Sequence, residues 1–235
     1  MPSMSQGLIP LAIAMALFVG THIWLPDPPV RRVLARVLTE RGYLAAYSLL
    51  SIALLAWVIN AYKAAPHIEV IVPNTGMRHA SLTVMLIASF LLVCGFVQRN
   101  PSTVPAAQLG WKPEVKGIFK ITRHPVMWGV ALWGISHSLA NGHAAALILF
   151  GGMSVLALVG ALHLERRKRA TLGDDWMAFE AGTSFVPLFA IAAGRTRMER
   201  GEIPWWQTLL AIAVFAGMLY VHARLGRDVF PLRLF

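Results

Sequence analysis

Charged residues are scarce in this sequence and cysteine is almost absent. Only 14% of the 235 residues are charged, whereas a soluble domain needs about 25% charge to cover its surface. The single cysteine, Cys94, lies in an apolar run and excludes an internal disulfide. Hydrophobic residues make up 57% of the chain, and the mean hydropathy is +0.60. The composition therefore excludes a soluble domain and indicates an integral membrane protein.

Acidic residues are also few, 11 against 21 lysines and arginines, which gives a net charge of +10. Such a charge could suggest a nucleic-acid partner. The basic residues, however, sit in short loops between apolar runs, where they orient membrane proteins and contact lipid headgroups. We therefore expect a lipid bilayer as the partner and no nucleic acid.

Six apolar segments approach or reach the length of ~18 residues that crosses a hydrocarbon core of ~30 Å. A basic amphipathic segment, 30–42, is expected to lie in the membrane interface, and the proline-containing loop 98–123 is expected to be an ordered surface or re-entrant segment. The sequence thus predicts a single all-α domain over residues 1–235, a polytopic membrane bundle of about six transmembrane helices. They are expected at about 7–25, 43–62, 79–97, 124–139, 144–164 and 203–222.

Two histidines mark the segment on which the site prediction depends. His124 lies between Arg123 and Pro125 at a helix entrance, and His137 lies 13 residues later inside the same apolar segment. An ionisable side chain within a membrane span is costly and usually functional. At ~100° per residue the two rings lie about 140° apart around a helix, so they should have different neighbours. Arg123 and His124 are the candidate catalytic residues, although His124 could equally be a structural cap or a headgroup contact.

Several short motifs, in this order and spacing, resemble the NnrU family of bacterial membrane proteins, whose functionally understood relative is the plant zeta-carotene isomerase. They lie at 20–22, 40–43, 117–125, 133–138 and 173–187. The resemblance covers about 11–190. The last span, 203–222, is expected to be an extra C-terminal transmembrane helix. A bacterial inner (cytoplasmic) membrane location follows from the same resemblance.

The resemblance implies a haem b cofactor with two axial histidines, which match His22 and His137 here. It also implies an isomerase of a polyene or similar lipid-soluble substrate, or a redox component linked to nitric oxide and denitrification. The relative's cysteine three residues before the second histidine is Gly134 in this chain. Helix geometry raises an objection, because the expected depths of His22 and His137 differ by more than ~10 Å at ~1.5 Å per residue. Alternative iron ligands are His124, His163 and His79.

A weaker resemblance is to membrane methyltransferases of the isoprenylcysteine carboxyl methyltransferase type. These proteins share an Arg-His-Pro motif and an acidic residue eight positions before a glycine, here Glu165 and Gly173. The likeness implies S-adenosylmethionine bound from the cytoplasm near Arg123, His124 and Glu165. The chain departs from that family at Leu164, where a second glutamate is usual. A non-enzymatic accessory protein is the third alternative.

The distribution of basic residues predicts the orientation in the membrane. Of the 21 lysines and arginines, 16 fall in the first, third and fifth loops, so both termini should face the periplasm. A C-terminal alkaline phosphatase fusion should therefore be active and a C-terminal green fluorescent protein fusion dark. The opposite pattern would contradict this topology.

Overall fold

A computed structural model describes residues 6–101 and 112–225, and within these ranges the regular secondary structure is helical apart from one isolated β-bridge. A short 3-10 turn, Gln6–Leu8, precedes the first α-helix. Within the described ranges the α-helices are α1 (Ile9–Trp24), α2 (Pro28–Ala64), α3 (Thr75–Val97), α4 (Ile118–Ile121), α5 (Pro125–Asn141), α6 (Ala144–Leu172), α7 (Asp174–Gly182), α8 (Phe189–Ala192) and α9 (Trp205–Arg224).

Prolines set several of the helix boundaries. Pro28 and Pro125 are the first residues of α2 and α5, and Pro204 immediately precedes α9. A proline is tolerated in the first turn because the N–H that it lacks would have no partner within the helix. The residue before a proline is also driven out of helical geometry, which separates each new helix from the preceding segment.

The basic amphipathic segment forms the first part of α2. The helix is interrupted at Thr39, whose backbone has φ 64° and ψ 163°. Such angles are unfavourable for a β-branched residue and break the helical hydrogen-bond pattern. The stretch before Thr39 is therefore a separate helical piece, and the apolar stretch after it runs on to Ala64.

All six predicted apolar helices are present, which confirms the all-α membrane fold. Four of them, α2, α3, α6 and α9, are long and apolar enough to cross a membrane. The other two are shorter, with 16 residues in α1 and 17 in α5. Six spans and periplasmic termini therefore stay predictions. The predicted loop 98–123 is described in part, since residues 102–111 lie outside the described ranges.

The described residues form two compact units. The first unit draws on Met1–Ser81 and Gly134–His163. In it α1 packs antiparallel to α2, and both contact the beginning of α6. The buried side chains of this core are Leu11, Ala14, Met15, Phe18, Leu54, Val58, Ala61 and Ala145.

Small residues allow close helix contacts within this first unit. A side chain at Gly134 of α5 would overlap the backbone oxygen of Phe150 and the hydroxyl of Ser154, both on α6. Ser81 and Ser136 bind each other's backbone carbonyls at 2.8 and 2.9 Å, which joins α3 to α5. Small side chains and reciprocal hydroxyl bonds are the usual means of helix association in lipid, where apolar surface gives little driving force.

The second unit draws on Leu82–Trp133 and Leu164–Phe235. Its core contains Leu91, Cys94, Ile118, Phe119, Trp176 and Phe179. The Cys94 thiol is buried there, so the cysteine is a packing residue. The hydroxyl of Ser89 on α3 donates to the backbone oxygen of Ala211 on α9 at 2.8 Å, which holds the last helix against α3.

Replacing Gly134 by alanine should destabilise the protein, because the new methyl group meets a backbone oxygen that cannot move aside. We expect a cost of about 1–3 kcal/mol, as for other overpacked sites. Gly151→Ala is the matched control, because nothing lies within 4 Å of the added carbon. Thermal unfolding of both variants in detergent measures the difference. Equal unfolding temperatures would contradict the close α5–α6 contact.

Candidate functional site

Three ionisable side chains meet in the interior of the second unit. The Oε1 oxygen of Glu165, on α6, accepts hydrogen bonds from Nε of Arg123 and, at 2.9 Å, from Nε2 of His124. The His124 side chain is 0% exposed, and those of Arg123 and Glu165 are each 12% exposed. We call these three residues the Arg-His-Glu cluster. A charge removed from water to this extent is tolerated only when it is paired and hydrogen-bonded.

Local backbone structure presents Arg123 and His124 to the carboxylate. After the single turn of α4, Thr122 is extended, and Pro125 begins α5. The Thr122 hydroxyl accepts the backbone N–H of His124 at 3.3 Å. The His124 carbonyl then accepts the N–H of Trp128 at 3.0 Å, the first hydrogen bond of α5. The Arg-His-Pro sequence therefore fixes both side chains at the entrance of this helix.

The segment 183–187 covers the same place, a contact that the sequence does not predict. The backbone oxygen of Ser184 accepts the N–H of Arg123 at 2.9 Å. The backbone oxygen of Phe185 accepts the Thr122 hydroxyl and the Trp128 indole N–H, both at 2.8 Å. Two of the motifs that carry the family resemblance thus fold against each other. The sequence offers one sign of this contact: both segments belong to the set of motifs that resembles the NnrU family.

Aromatic rings surround the imidazole of His124. The ring of Phe185 is 5.6 Å away and that of Trp176 is 6.4 Å away. Burial disfavours a charged imidazolium, and the Glu165 carboxylate accepts the N–H of Nε2. Since Arg123 already balances the carboxylate, the neutral imidazole that donates from Nε2 is the form that this environment favours.

His22 lies half-buried in the last turn of α1, in the first unit. Its Nδ1 bonds to the backbone oxygen of Phe18 at 2.7 Å, and its ring lies 5.6 Å from that of Tyr47. A carbonyl partner requires a proton on Nδ1, which leaves the lone pair on Nε2. This is the tautomer that a metal-binding histidine adopts, so His22 taken alone fits the predicted role.

His137 lies half-buried on α5, with its ring 4.8 Å from that of Phe150 on α6. Met15 of α1 contacts Gly152 of α6. His22 lies on α1 seven residues after Met15, so it is level with a point on α6 beyond Gly152, on the side away from Phe150. The levels of the two histidines along α6 thus differ by about nine residues, which is about 13 Å along the bundle at ~1.5 Å per residue. Axial nitrogens on one iron are about 4 Å apart, given metal–nitrogen bonds of ~2 Å. The pair does not fit a shared haem in this arrangement.

Two of the three alternative ligands lie in the first unit, whereas His124 belongs to the second. His79 is exposed at the beginning of α3, and His163 is half-buried on α6. Across residues 6–101 and 112–225, no three His, Cys, Asp or Glu side chains converge to hold a metal ion. The sequence-based prediction of haem b on His22 and His137 stays a prediction. The position of the relative's cysteine, Gly134, has no room for any side chain.

Comparison with known proteins identifies the family. The family described as NnrU protein matches residues 10–228, nearly the whole chain and α9 with it. The chain belongs to the NnrU family. This confirms the resemblance carried by the motifs.

Two plant proteins are similar in sequence to part of this NnrU-family chain. The 15-cis-zeta-carotene isomerase of Arabidopsis thaliana is 31% identical over 109 residues, and that of Zea mays is 33% identical over 84 residues. These segments cover 45% and 36% of this chain, but only 30% and 23% of the relatives' own lengths. No solved structure gives a significant match.

Removing the carboxylate should leave a buried guanidinium without its counter-ion. We expect Glu165→Leu to cost about 3–5 kcal/mol of stability, as when one partner of a buried ion pair is lost. Adding Arg123→Met to this variant should recover much of the loss, because no unpaired charge then remains. Unfolding of both single variants and of the double variant in detergent completes the cycle. Glu199→Gln, at an exposed position, is the control, and additive losses would contradict the pairing.

Proposed function

We propose that this NnrU-family protein is a membrane-embedded isomerase that acts on a hydrophobic, conjugated polyene. The partial similarity to two plant 15-cis-zeta-carotene isomerases supports this choice of reaction. The observation that carries the proposal is the buried Arg-His-Glu cluster, enclosed by the family motifs 117–125 and 183–187. Ionisable groups that are retained in the interior of a membrane protein are usually functional.

The chemistry of isomerisation suits a histidine paired with a carboxylate. An isomerase leaves the composition of its substrate unchanged, so that any proton it removes must be returned. A cis double bond rotates when its π-bond order falls, and removal of a proton from a carbon next to a conjugated chain spreads the electron pair of the broken C–H bond along that chain and lowers the bond order. The neutral imidazole of His124 can take up such a proton and return it, while Glu165 orients its ring and Arg123 balances the carboxylate.

Apolar residues next to the cluster suit a lipid-soluble substrate. Trp128 and Phe185 are half-buried, and their rings are 6.1 Å apart. The chain that follows exposes Val186, Leu188 and Phe189, each more than half exposed. In a bilayer such residues face hydrocarbon rather than water, so a polyene could approach along this side without leaving the apolar phase.

The proposed isomerisation does not use a haem. A haem b would supply one-electron chemistry to a polyene, but His22 and His137 do not lie on one level in the first unit. Its presence, a role in denitrification and a location in a bacterial inner membrane rest on the resemblance and stay predictions.

The proposal predicts turnover of 15-cis-zeta-carotene by the purified protein in liposomes, followed by chromatography of the isomers. His124→Ala should lower the rate by about 10²–10⁴-fold, the usual loss for an acid–base group. His222→Ala is the control, because that half-buried histidine bonds to a carbonyl of its own helix, α9. A folded wild-type protein without turnover, or one whose turnover survives His124→Ala, would contradict the proposal.

Two measurements on the same sample separate the alternatives. A Soret absorption band that disappears in His22→Ala and in His137→Ala would establish the shared haem and would replace His124 as the centre of the site. S-adenosylmethionine binding that depends on Glu165 would favour a methyltransferase instead.

A further inference from the structure

The loop between α2 and α3 is fastened to the tight turn between α5 and α6. Glu69 and His143 form an antiparallel β-bridge. The N–H of Ala144 donates to the oxygen of Ile68 at 2.8 Å, and the N–H groups of Val70 and Ile71 donate to the oxygen of Gly142 at 3.2 and 3.0 Å. We call residues 68–71 and 142–144 the latch. All of it lies in the first unit.

Glycine is required at the centre of the latch. Gly142 has φ +65°, and any side chain there would overlap the backbone oxygen of Ile71. The Asn141-Gly142 turn is thus shaped for this contact as well as for reversing the chain. The loop backbone touches the turn with no side chain between them.

His143 caps the first turn of α6. It precedes Ala144, the first residue of that helix, and its Nδ1 accepts the N–H of Ala146 at 3.2 Å. This is the position and the bond of an N-cap side chain. Only a neutral imidazole with its proton on Nε2 can accept there, because protonation converts both ring nitrogens into donors. A positive charge at this place would also oppose the helix dipole.

The groups around His143 determine how costly protonation of its ring would be. The ring of His67, from the loop, is 4.6 Å away, and that of Tyr62, from α2, is 6.1 Å away. Glu69 is directly opposite in the bridge, but its side chain is exposed. An exposed carboxylate is screened by solvent and gives little compensation, whereas a second protonated imidazole would repel the first.

We propose that the latch is a pH-sensitive fastening, in which protonation of His143 removes the cap of α6 and releases the loop 65–74 from the α5–α6 turn. The protein would then open this end of the first unit when the adjoining aqueous compartment becomes acidic. The device is independent of the isomerase proposal.

The direction in which the pKa of His143 is shifted agrees with this pH-sensitive role. Partial burial lowers the pKa of His143, and the neighbouring His67 lowers it further. The open loop, whose histidine has an ordinary pKa of about 6.5, therefore binds a proton more readily than the closed latch. Closure is at full strength above that value and weakens as the pH falls below it.

Metal binding is the competing use of two adjacent imidazoles. In the latch, however, the Nδ1 lone pair of His143 is occupied by the Ala146 N–H, which leaves the ring proton on Nε2. Neither nitrogen can then bind a metal without breaking the cap. The described arrangement therefore favours the fastening.

Hydrogen–deuterium exchange of the full chain in lipid nanodiscs tests the proposal. The amides to follow are those of Val70, Ile71 and Ala144, which donate across the latch. After correction for intrinsic exchange, their protection should fall roughly fivefold between about pH 7.5 and about pH 5.5, the size of one lost N-cap. Wild-type protection that does not change with pH would overturn the proposal.

Substitution of the cap distinguishes titration of His143 from general acid effects. His143→Asn keeps a capping oxygen that does not titrate, so its protection should stay high at both pH values. His143→Ala should be weakly protected at both. His79→Asn, an exposed histidine of the same unit, is the control and should behave as wild type. A pH response that persists in His143→Asn would refute the role of His143.

Discussion

The carboxylate of Glu165 is the group on which the second unit depends. A negative charge in an apolar protein costs several kcal/mol unless opposite charge and hydrogen bonds surround it. Arg123 and His124 supply both, and they must therefore be held in fixed positions. The single turn of α4, the proline that begins α5 and the segment 183–187 all serve to hold them there.

This constraint also explains why the segment 183–187 is irregular. Its carbonyl groups are used by Arg123, Thr122 and Trp128, so a helix there would remove the acceptors that these donors need. Non-helical backbone is tolerated in a membrane protein only where the protein itself satisfies its polar groups. The stretch is too short to span a bilayer, and its polar bonding gives it a structural reason to stay unwound.

The first unit follows a different principle, since its contacts are made by close approach. Gly134 and Gly152 bring α5 and α1 against α6, and Gly142 brings a loop backbone against a turn. Such contacts fix the level of each side chain along the bundle. Because His22 and His137 lie at different levels along the bundle, they are apart, and these levels are set by helix packing.

The sequence by itself determined the membrane class and the positions of the six apolar helices, and it singled out Arg123, His124 and Glu165 as candidate site residues. These follow from local quantities: apolar run length, proline positions and the cost of charge in lipid. Only the tertiary structure decided that a single carboxylate oxygen joins the three residues, that the segment 183–187 encloses them, and that His143 caps a helix beside His67. Such facts depend on which helix faces meet and at what level, and residues distant in the chain fix that level through contacts that no local pattern encodes.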